Sequence, residues 1–431
     1  MLESYENRGE VLGILVGGGP APGINGVIRA ATIEAINSGL KVVGILDGFQ
    51  WLAKGDNSKI WELSISDISR VHFEGGSVLR TSRANPTKSE EAMNNTVRAL
   101  KNLEVDYLLT IGGDDTAHSA YRVAEATGHK IRVAHVPKTI DNDLPLPNRL
   151  STFGYQTARH VGVELVHYIM VDAQTTSRWY FVVSMGRKAG HLALGIARAA
   201  GATLAIIAEE FRGKKIRLAE LADILETSII KRRAMGKNYG VAILAEGVVE
   251  SIEEEDLLRL DDVERDAHGH LRYAEIPFGD IIKNEVKRRL ISRGLDITVV
   301  SKNIGYELRC ADPIPFDCEY TQDLGHAAVR YLLNGGSGAM ITVQGGQAVP
   351  MPLADLINPE TKRMNVRLVD VDSDSYRISR NYMIRLEPDD FQDHNRLVRL
   401  ARAAHMPPDE FAARFGYLVE NEPRRPTRSP S

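Results

Sequence analysis

The sequence predicts an α/β protein whose two lobes each contain a mainly parallel sheet covered by helices. Short apolar runs alternate with longer stretches of helical periodicity through most of the 431 residues, the pattern of strands and crossover helices in parallel sheets. Glycine or proline directly follows several of the apolar runs, as expected where a buried strand ends in a loop. No repeat of fixed period is present, so a solenoid is not predicted.

Compact apolar runs such as VLGILV define the strands, and apolar residues three or four positions apart define the helices. The predicted strands are Val11–Val16, Lys41–Leu46, Tyr107–Ile111, Ile131–Val136, Arg178–Ser184, Thr203–Ala208, Tyr239–Leu244, Leu295–Val300 and Ala339–Val343. The predicted helices are Ile24–Ser38, Ser89–Asn102, Ala117–Thr127, Phe153–Gln174, Ala189–Ala200, Leu218–Ala234, Phe278–Arg293 and Thr321–Asn334. Residues 251–275 are polar and predict a surface excursion, and the Pro-, Ser- and Arg-rich tail 420–431 predicts disorder.

The composition is that of a globular protein with a sizeable core, and it argues against several partners. Hydrophobic residues make up 43% of the chain and charged residues 26%, both ordinary values. A net charge of -4 gives no reason to expect nucleic acid or an anionic membrane as partner. No apolar run approaches the roughly 20 residues of a membrane span, and the polar start MLESYENRGE is unlike a signal peptide. The two cysteines, Cys310 and Cys318, are expected to be reduced thiols in a cytoplasmic protein.

A glycine-rich segment, Gly17 to Gly23, connects the first strand to the first helix. Strand, glycine loop and helix form the arrangement in which backbone N–H groups and a helix N-terminus bind phosphate. A structural tight turn explains the same segment equally well. The dinucleotide-binding pattern G-x-G-x-x-G is not met, because Pro22 interrupts it.

Two further loops carry most of the chemistry that the sequence predicts, and both follow predicted buried strands. The first, GGDDT, places Asp114 and Asp115 side by side, and paired carboxylates suit a hard cation such as Mg²⁺. An aspartate N-cap for the next helix explains one of the two, so we expect capping together with metal binding.

The second loop, PKTIDND, brings a lysine and a threonine next to two aspartates. Asp141 and Asp143 would point to the same side of an extended segment, beside Lys138 and Thr139. A carboxylate that accepts a proton and a cation that neutralises phosphate are the groups needed for phosphoryl transfer. An Asx-rich turn accounts for the aspartates alone equally well.

Seven segments in this order resemble the phosphofructokinase family: GGGPAPGIN, TSR, GGDDT, PKTIDND, MGR, AEG and GYELR. The resemblance extends from about Leu12 to about Gly346. It implies two Rossmann-like lobes with the active site in the cleft between them, where the 1-hydroxyl of fructose 6-phosphate attacks a terminal phosphoryl group. The implied boundaries are a donor lobe at 1–152 completed by about 310–360, a sugar-phosphate lobe at 153–309 and a C-terminal extension at 361–419.

The resemblance also implies roles for individual residues. Asp141 corresponds to the catalytic base and Asp114 to the Mg²⁺ ligand, and Asp115, Lys138 and Arg187 complete the implied catalytic set. Diphosphate is expected to contact Gly18, Arg83 and Lys138. The implied contacts to the sugar phosphate are Thr139, Asp141, Asp143, Met185, Gly186, Arg187, Glu246, Tyr306 and Arg309. Arg178 matches an arginine that reaches the neighbouring subunit's substrate, which implies a homodimer or homotetramer.

The phosphoryl donor is predicted from two positions. Members that use ATP typically have glycine where Asp115 stands, and a carboxylate there adds bulk and like charge against the nucleotide. Lys138 often replaces glycine in the diphosphate-dependent branch. Together the two residues favour diphosphate, in a reaction that is readily reversible.

The chain also departs from the family pattern. Pro20 stands where many members have aspartate, Tyr306 where many ATP-dependent enzymes have histidine, and Val300 where a cross-subunit arginine is expected, with Lys302 as its nearest substitute. The alternatives are an ATP-dependent enzyme, a diphosphate-dependent kinase of another sugar phosphate such as sedoheptulose 7-phosphate, and an inactive regulatory subunit. A kinase of NAD or lipid type would share only the GGD-type loop.

Overall fold

The computed structural model describes residues 9–147, 150–258, 276–356, 358, 360 and 364–420. The chain forms two compact units. The first unit consists of Met1–Val161 and Tyr306–Arg367, and the second of Gly162–Gly305 and Leu368–Ser431. Each unit has its own sheet, so the predicted α/β class with mainly parallel sheets is confirmed. Among the described residues, no helix has the length and apolar character that crossing a membrane requires.

The strands and helices are numbered in chain order. The strands are β1 (Val11–Val16), β2 (Lys41–Ile45), β3 (Ile60–Glu62), β4 (Val105–Gly112), β5 (Arg132–Thr139), β6 (Phe153–Gly154), β7 (Trp179–Ser184), β8 (Leu204–Ile206), β9 (Gly240–Ala245), β10 (Val299–Ile304), β11 (Ala339–Gln344) and β12 (Gln347–Pro352). The helices are α1 (Ile24–Asn37), α2 (Ile65–Ile68), α3 (Glu90–Asn102), α4 (Asp114–Ala126), α5 (Tyr155–Thr176), α6 (His191–Ala200), α7 (Leu218–Ala234), α8 (Glu254–Leu258), α9 (Phe278–Ser292), α10 (Tyr306–Arg309), α11 (Pro315–Leu333), α12 (Leu353–Leu356), α13 (Asp374–Tyr382), α14 (Pro388–Gln392), α15 (His394–Ala403) and α16 (Pro408–Phe415).

The sheet of the first unit has the strand order β12-β11-β5-β4-β1-β2-β3, and β6 pairs with the end of β5. Its central pairs are parallel, whereas β2–β3 and β11–β12 are antiparallel. The register sets Val16 opposite Ile111, and Ile111 opposite Val136. The loops that follow β1, β4 and β5 therefore start side by side at one edge of the sheet, where open α/β sheets bind ligands.

The sheet of the second unit is entirely parallel, with the order β10-β7-β9-β8. Ser184, the last residue of β7, pairs with Ala245 on one side and with Ile304 on the other. The MGR, AEG and GYELR segments consequently begin next to one another at the carboxyl ends of three adjacent strands.

The apolar runs become strands because their side chains are covered on both sides. All six residues of β1 are buried, as expected for a strand inside a parallel sheet. Helix α1 packs Ile24, Val27, Ile28 and Ala31 into the same core. Full burial of each larger side chain contributes about 1.5–3 kcal/mol.

Several predicted boundaries differ from the structure. Strand β10 covers Val299–Ile304 instead of Leu295–Val300, and helix α11 begins at Pro315 instead of Thr321. Residues Tyr306–Arg309 form a helical turn that is not among the predicted helices. Of the predicted surface excursion, α8 is described, and residues 259–275 lie outside the described residues, as does the tail beyond Glu420.

Candidate active site

The glycine loop after β1 is held by hydrogen bonds from its own backbone. The N–H of Gly17 donates to the carbonyl of Ile111 at 2.9 Å, and the N–H of Gly18 donates to the carbonyl of Ser82 at 2.8 Å. Gly18 has φ of 84°, which favours glycine. These two N–H groups are therefore engaged within the protein, as expected for the tight turn that was one of the two interpretations of this segment.

Close packing explains why positions 17 and 112 are occupied by glycine. A Cβ added at Gly17 would lie 2.3 Å from Oγ1 of Thr116, and one at Gly112 would lie 2.4 Å from the same oxygen. Thr116, in the first turns of α4, thus fills the space between the loops after β1 and β4. Thr116 belongs to the GGDDT segment, but its packing against the two loops could not be predicted from the sequence.

Asp114 and Asp115 are the first two residues of α4. The N-cap residue is Gly113, which has no side chain with which to cap. The prediction that an aspartate caps this helix is therefore wrong. Carboxylates in a first helical turn are stabilised by the helix dipole, and the side chain of Asp115 is exposed.

Lys138 lies at the end of β5, against the glycine loop. It is 6% exposed, and its Nζ donates a hydrogen bond to the carbonyl oxygen of Gly19. A Cβ added at Gly18 would lie 3.3 Å from this Nζ, and one at Gly19 would lie 3.0 Å from Nη1 of Arg309. A lysine and an arginine thus flank the glycine loop within the first unit and create a positive environment suited to a phosphate group.

The remaining predicted residues of the first unit differ in exposure, because Arg309 is half-buried whereas Arg83 and Tyr306 are exposed. Ser82 pairs with Gly17 in a short bridge, and Arg83, the next residue, is exposed. The guanidinium of Arg309 lies 4.7 Å from the centre of the Tyr306 ring, which is 73% exposed.

The turn Asp141-Asn142-Asp143 follows β5 directly. Asp141 is 7% exposed, and its backbone N–H donates to Oγ1 of Thr139 at 3.0 Å. Asn142 has φ of 56°, a left-handed conformation. The segment is therefore not extended, and the expectation that Asp141 and Asp143 point to one side on that ground is wrong.

Arg367 holds this turn, although the sequence predicts no role for it. Its guanidinium donates to the carbonyl of Asn142 at 2.9 Å and to the carbonyl of Leu150 at 2.8 Å. Arg367 stands between Val366 and Leu368, and this local context carries no pattern that would point to acceptors more than 200 residues earlier.

His135, a buried residue of β5, stays neutral beneath this region. Burial lowers its pKa to about 3, and the nearby Lys138 charge acts in the same direction. Its Nδ1 lies 2.9 Å from Oγ1 of Thr110 on β4.

The second unit contains a separate group of loops around the MGR turn. The N–H of Gly186 donates to Oε2 of Glu246 at 3.2 Å. A Cβ added at Gly247 would lie 2.3 Å from the carbonyl oxygen of Arg187. Arg187 has φ of 47° and an exposed side chain. The structure thus brings Met185, Gly186, Arg187 and Glu246 together, as their strand ends require.

Arg178 and Lys302 are not part of this group. Arg178 precedes β7, whereas Met185 follows it, so the length of the strand, roughly 20 Å, separates them. Lys302 is exposed on the outer strand β10, opposite Val182.

Two α/β units with a glycine loop, a buried lysine and aspartates at the ends of parallel strands are typical of enzymes that transfer phosphoryl groups. A model of one such family, phosphofructokinase, matches residues 11–332. The chain belongs to the phosphofructokinase family.

Two curated relatives are similar over nearly the whole chain. The pyrophosphate–fructose 6-phosphate 1-phosphotransferase of Thermotoga maritima is 53% identical over 95% of this chain and 99% of its own. The protein of the same name from Naegleria fowleri is 51% identical over 95% of this chain and 96% of its own.

Solved structures have the same fold. Pyrophosphate-dependent phosphofructokinase from Marinobacter aquaeolei matches with a TM-score of 0.64 at 17% identity, over 87% of this chain and 90% of that one. Phosphofructokinase from Saccharomyces cerevisiae matches with a TM-score of 0.63 at 23% identity, over 80% of this chain and 45% of that one. The chain therefore spans less than half the length of the yeast protein.

Proposed function

We propose that this chain transfers a phosphoryl group reversibly from diphosphate to the 1-hydroxyl of D-fructose 6-phosphate, giving fructose 1,6-bisphosphate and phosphate. The observation that carries this proposal is the identity of 53% with a pyrophosphate–fructose 6-phosphate 1-phosphotransferase over 95% of the chain. The buried lysine on the glycine loop supports it, because diphosphate is small and highly charged.

Diphosphate binds at the glycine loop of the first unit in this proposal. Lys138 and Arg83 neutralise its charge, and Gly18 allows its close approach because glycine has no Cβ. The engaged N–H groups of Gly17 and Gly18 leave the cations as the principal partners of the phosphate oxygens. Asp115 excludes ATP from this site through its bulk and its negative charge.

Mg²⁺ is the expected cofactor, and the donor set fits it. Among the described residues, no cluster of three or more His, Cys, Asp or Glu side chains could hold a metal ion. Mg²⁺ does not need such a cluster, because it usually keeps several waters and binds through one or two carboxylates and substrate phosphates. Asp114 would supply the carboxylate, and the bound ion would neutralise negative charge on the diphosphate.

The sugar phosphate is assigned to polar groups that follow the parallel strands. Glu246 accepts hydrogen bonds from sugar hydroxyls, and Arg187 contacts the sugar phosphate. The remaining proposed contacts are Thr139, Asp143, Met185, Gly186, Tyr306 and Arg309. The hydrogen bond from the N–H of Gly186 to Oε2 of Glu246 at 3.2 Å supports a fixed turn at this part of the site.

Asp141 is the general base in this mechanism. Its carboxylate accepts the proton of the 1-hydroxyl while the hydroxyl oxygen forms a bond to the terminal phosphorus of diphosphate. The bridging P–O bond breaks, and inorganic phosphate leaves with its electron pair. In the reverse direction, protonated Asp141 returns the proton to the sugar oxygen.

Arg178 is assigned to the active site of a neighbouring subunit, so the enzyme is a homodimer or homotetramer. The enzyme is assigned to the cytoplasm. The position of Arg178 before β7, a strand length from Met185, supports its role in a neighbouring site. Mixed oligomers of Arg178→Ala and Asp141→Ala chains test it. Some of their sites take intact Asp141 and intact Arg178 from different chains, so activity should return, and a mixture as inactive as its parents would contradict the shared site.

The deciding experiment compares initial rates with diphosphate and with ATP, using the purified chain, fructose 6-phosphate and magnesium. We expect turnover with diphosphate and little with ATP. Faster turnover with ATP would overturn the donor assignment, and no activity with either donor would indicate a regulatory subunit. A panel of other sugar phosphates, including sedoheptulose 7-phosphate, tests the acceptor.

A further inference from the structure

The guanidinium group of Arg367 is enclosed by the chain that follows Asp141. Nε donates to the carbonyl of Asn142 at 3.1 Å, and Nη2 donates to the same carbonyl at 2.9 Å and to Oδ1 of Asn142 at 2.5 Å. Nη1 donates to the carbonyls of Leu146 at 3.3 Å and Leu150 at 2.8 Å. These five contacts equal the number of N–H donors that an arginine side chain has.

The backbone of Arg367 adds a further contact to the same turn. Its N–H donates to the carbonyl of Asp143 at 2.7 Å. Oδ1 of Asn142 also accepts the N–H of Thr152 at 3.1 Å. Asn142 is thus held by hydrogen bonds to its carbonyl, to its side chain and to the carbonyl of Asp143, the next residue.

The conformation of the turn is fixed by these contacts. Asn142 has φ of 56°, a left-handed conformation that asparagine adopts more readily than most residues, and the hydrogen bonds from Arg367 hold it there. Several acceptors at fixed directions require a planar, multiply donating cation. Lysine has the charge but only three donors on one atom.

We propose that Arg367 is a positioning residue, which fixes the Asp141-Asn142-Asp143 turn in the geometry that the proton transfer requires. The inference rests on the proposed function, because it takes Asp141 as the base. Arg367 lies outside residues 11–332, the part of the chain that the family model matches. A segment beyond that part therefore completes the catalytic loop.

Arg367→Gln and Arg367→Lys test the proposal in the full chain, with Arg132→Gln as the matched control. Arg132 also donates to a carbonyl, that of Leu332 at 2.9 Å, but from the opposite end of β5. Both Arg367 variants should lower kcat by about 10–100-fold, because small displacements of a reacting group cost this much, with KM for diphosphate nearly unchanged. The control should retain kcat.

Two further measurements separate positioning from a general loss of structure. Millimolar guanidinium ion should restore part of the kcat of Arg367→Ala and should not change that of the control. In an Asp141→Asn background, Arg367→Gln should lower the residual rate no further, because residues that act as a unit are not additive.

The outcomes also distinguish this inference from the proposed function. Full turnover of Asp141→Asn would overturn the assignment of the base, and the inference with it. If Asp141→Asn is inactive but folded Arg367→Gln and Arg367→Lys keep wild-type kcat, the inference alone is wrong. An undiminished further loss in the double variant would likewise overturn it.

Discussion

Nζ of Lys138 donates a hydrogen bond to the carbonyl oxygen of Gly19. This bond joins the end of β5 to the glycine loop after β1 and places a positive charge beside Gly18 and Gly19. A glycine at position 138 would remove the charge and open space beside Gly18. Donor preference should therefore depend on this position.

Replacing both Lys138 and Asp115 by glycine should shift the enzyme from diphosphate towards ATP. We expect kcat/KM for diphosphate to fall by roughly 10–100-fold, because a charge-assisted hydrogen bond contributes about 1.5–3 kcal/mol. The ratio of kcat/KM for ATP to kcat/KM for diphosphate should rise. Steady-state rates with each donor measure both quantities. Lys130→Gly, at an exposed position before β5, is the control, and an unchanged ratio in the double variant would refute the donor argument.

Asp141→Asn should lower kcat by about 10²–10⁴-fold, the usual contribution of a general base. The variant keeps the size of the side chain and removes its ability to take the proton. Asp312→Asn provides a comparison, since Asp312 accepts the N–H of Gly75 at 2.9 Å and has no assigned part in the reaction. Equal kcat values for the two variants would contradict the mechanism.

Gly247→Ala should weaken binding of the sugar phosphate. The added Cβ would lie 2.3 Å from the carbonyl oxygen of Arg187, so the MGR turn has to move. We expect KM for fructose 6-phosphate to rise by about 10-fold or more, since misplaced binding groups lose their contacts, with KM for diphosphate less affected. Gly416→Ala, where no atom lies within 4 Å, should leave both KM values unchanged, and a similar change in both variants would refute the assignment.

His135 should make the protein less stable in mild acid. Burial lowers its pKa to about 3 from 6.5, so between these values the unfolded chain binds one proton more than the folded chain. The free energy of unfolding therefore decreases as pH falls below about 6.5, by up to about 1.4 kcal/mol per pH unit. His135→Asn removes this contribution, so its urea midpoint should fall less from about pH 7 to about pH 5 than that of the wild type.

The control for this experiment is His129→Asn, because His129 is exposed and its φ of 59° suits asparagine. It should retain the pH dependence of the wild type. A His135 variant that also retains it would show that His135 does not contribute.

Most of the strands that position the site could be predicted because their apolar runs are covered on both faces. The predicted position of β10 was four residues too early for the opposite reason. It is an outer strand whose Lys302 and Asn303 are exposed, whereas Leu295 and Ile297 are buried without forming a strand. Hydrophobicity therefore pointed to the segment just before it.

The chemistry of the site could be predicted from the sequence where neighbouring residues supply it, as in the GGDDT and PKTIDND segments. Contacts that depend on distant parts of the chain could not be predicted. The five contacts of Arg367 reach residues 217 to 225 positions earlier, and no local pattern encodes such a pairing. The engagement of the Gly17 and Gly18 N–H groups depends likewise on the register of β1 beside β4 and on the bridge to Ser82.

The position of β11 in the first sheet has a consequence for biosynthesis. Its residues Ala339 and Met340 pair with Ala134 and His135 of β5, so among the described strands the middle of β5 has no partner on that side until the ribosome has made β11. A nascent chain that pauses earlier exposes the strand that leads to Lys138. We therefore expect truncation shortly after α11 to yield an aggregation-prone protein, because an open strand edge recruits other chains.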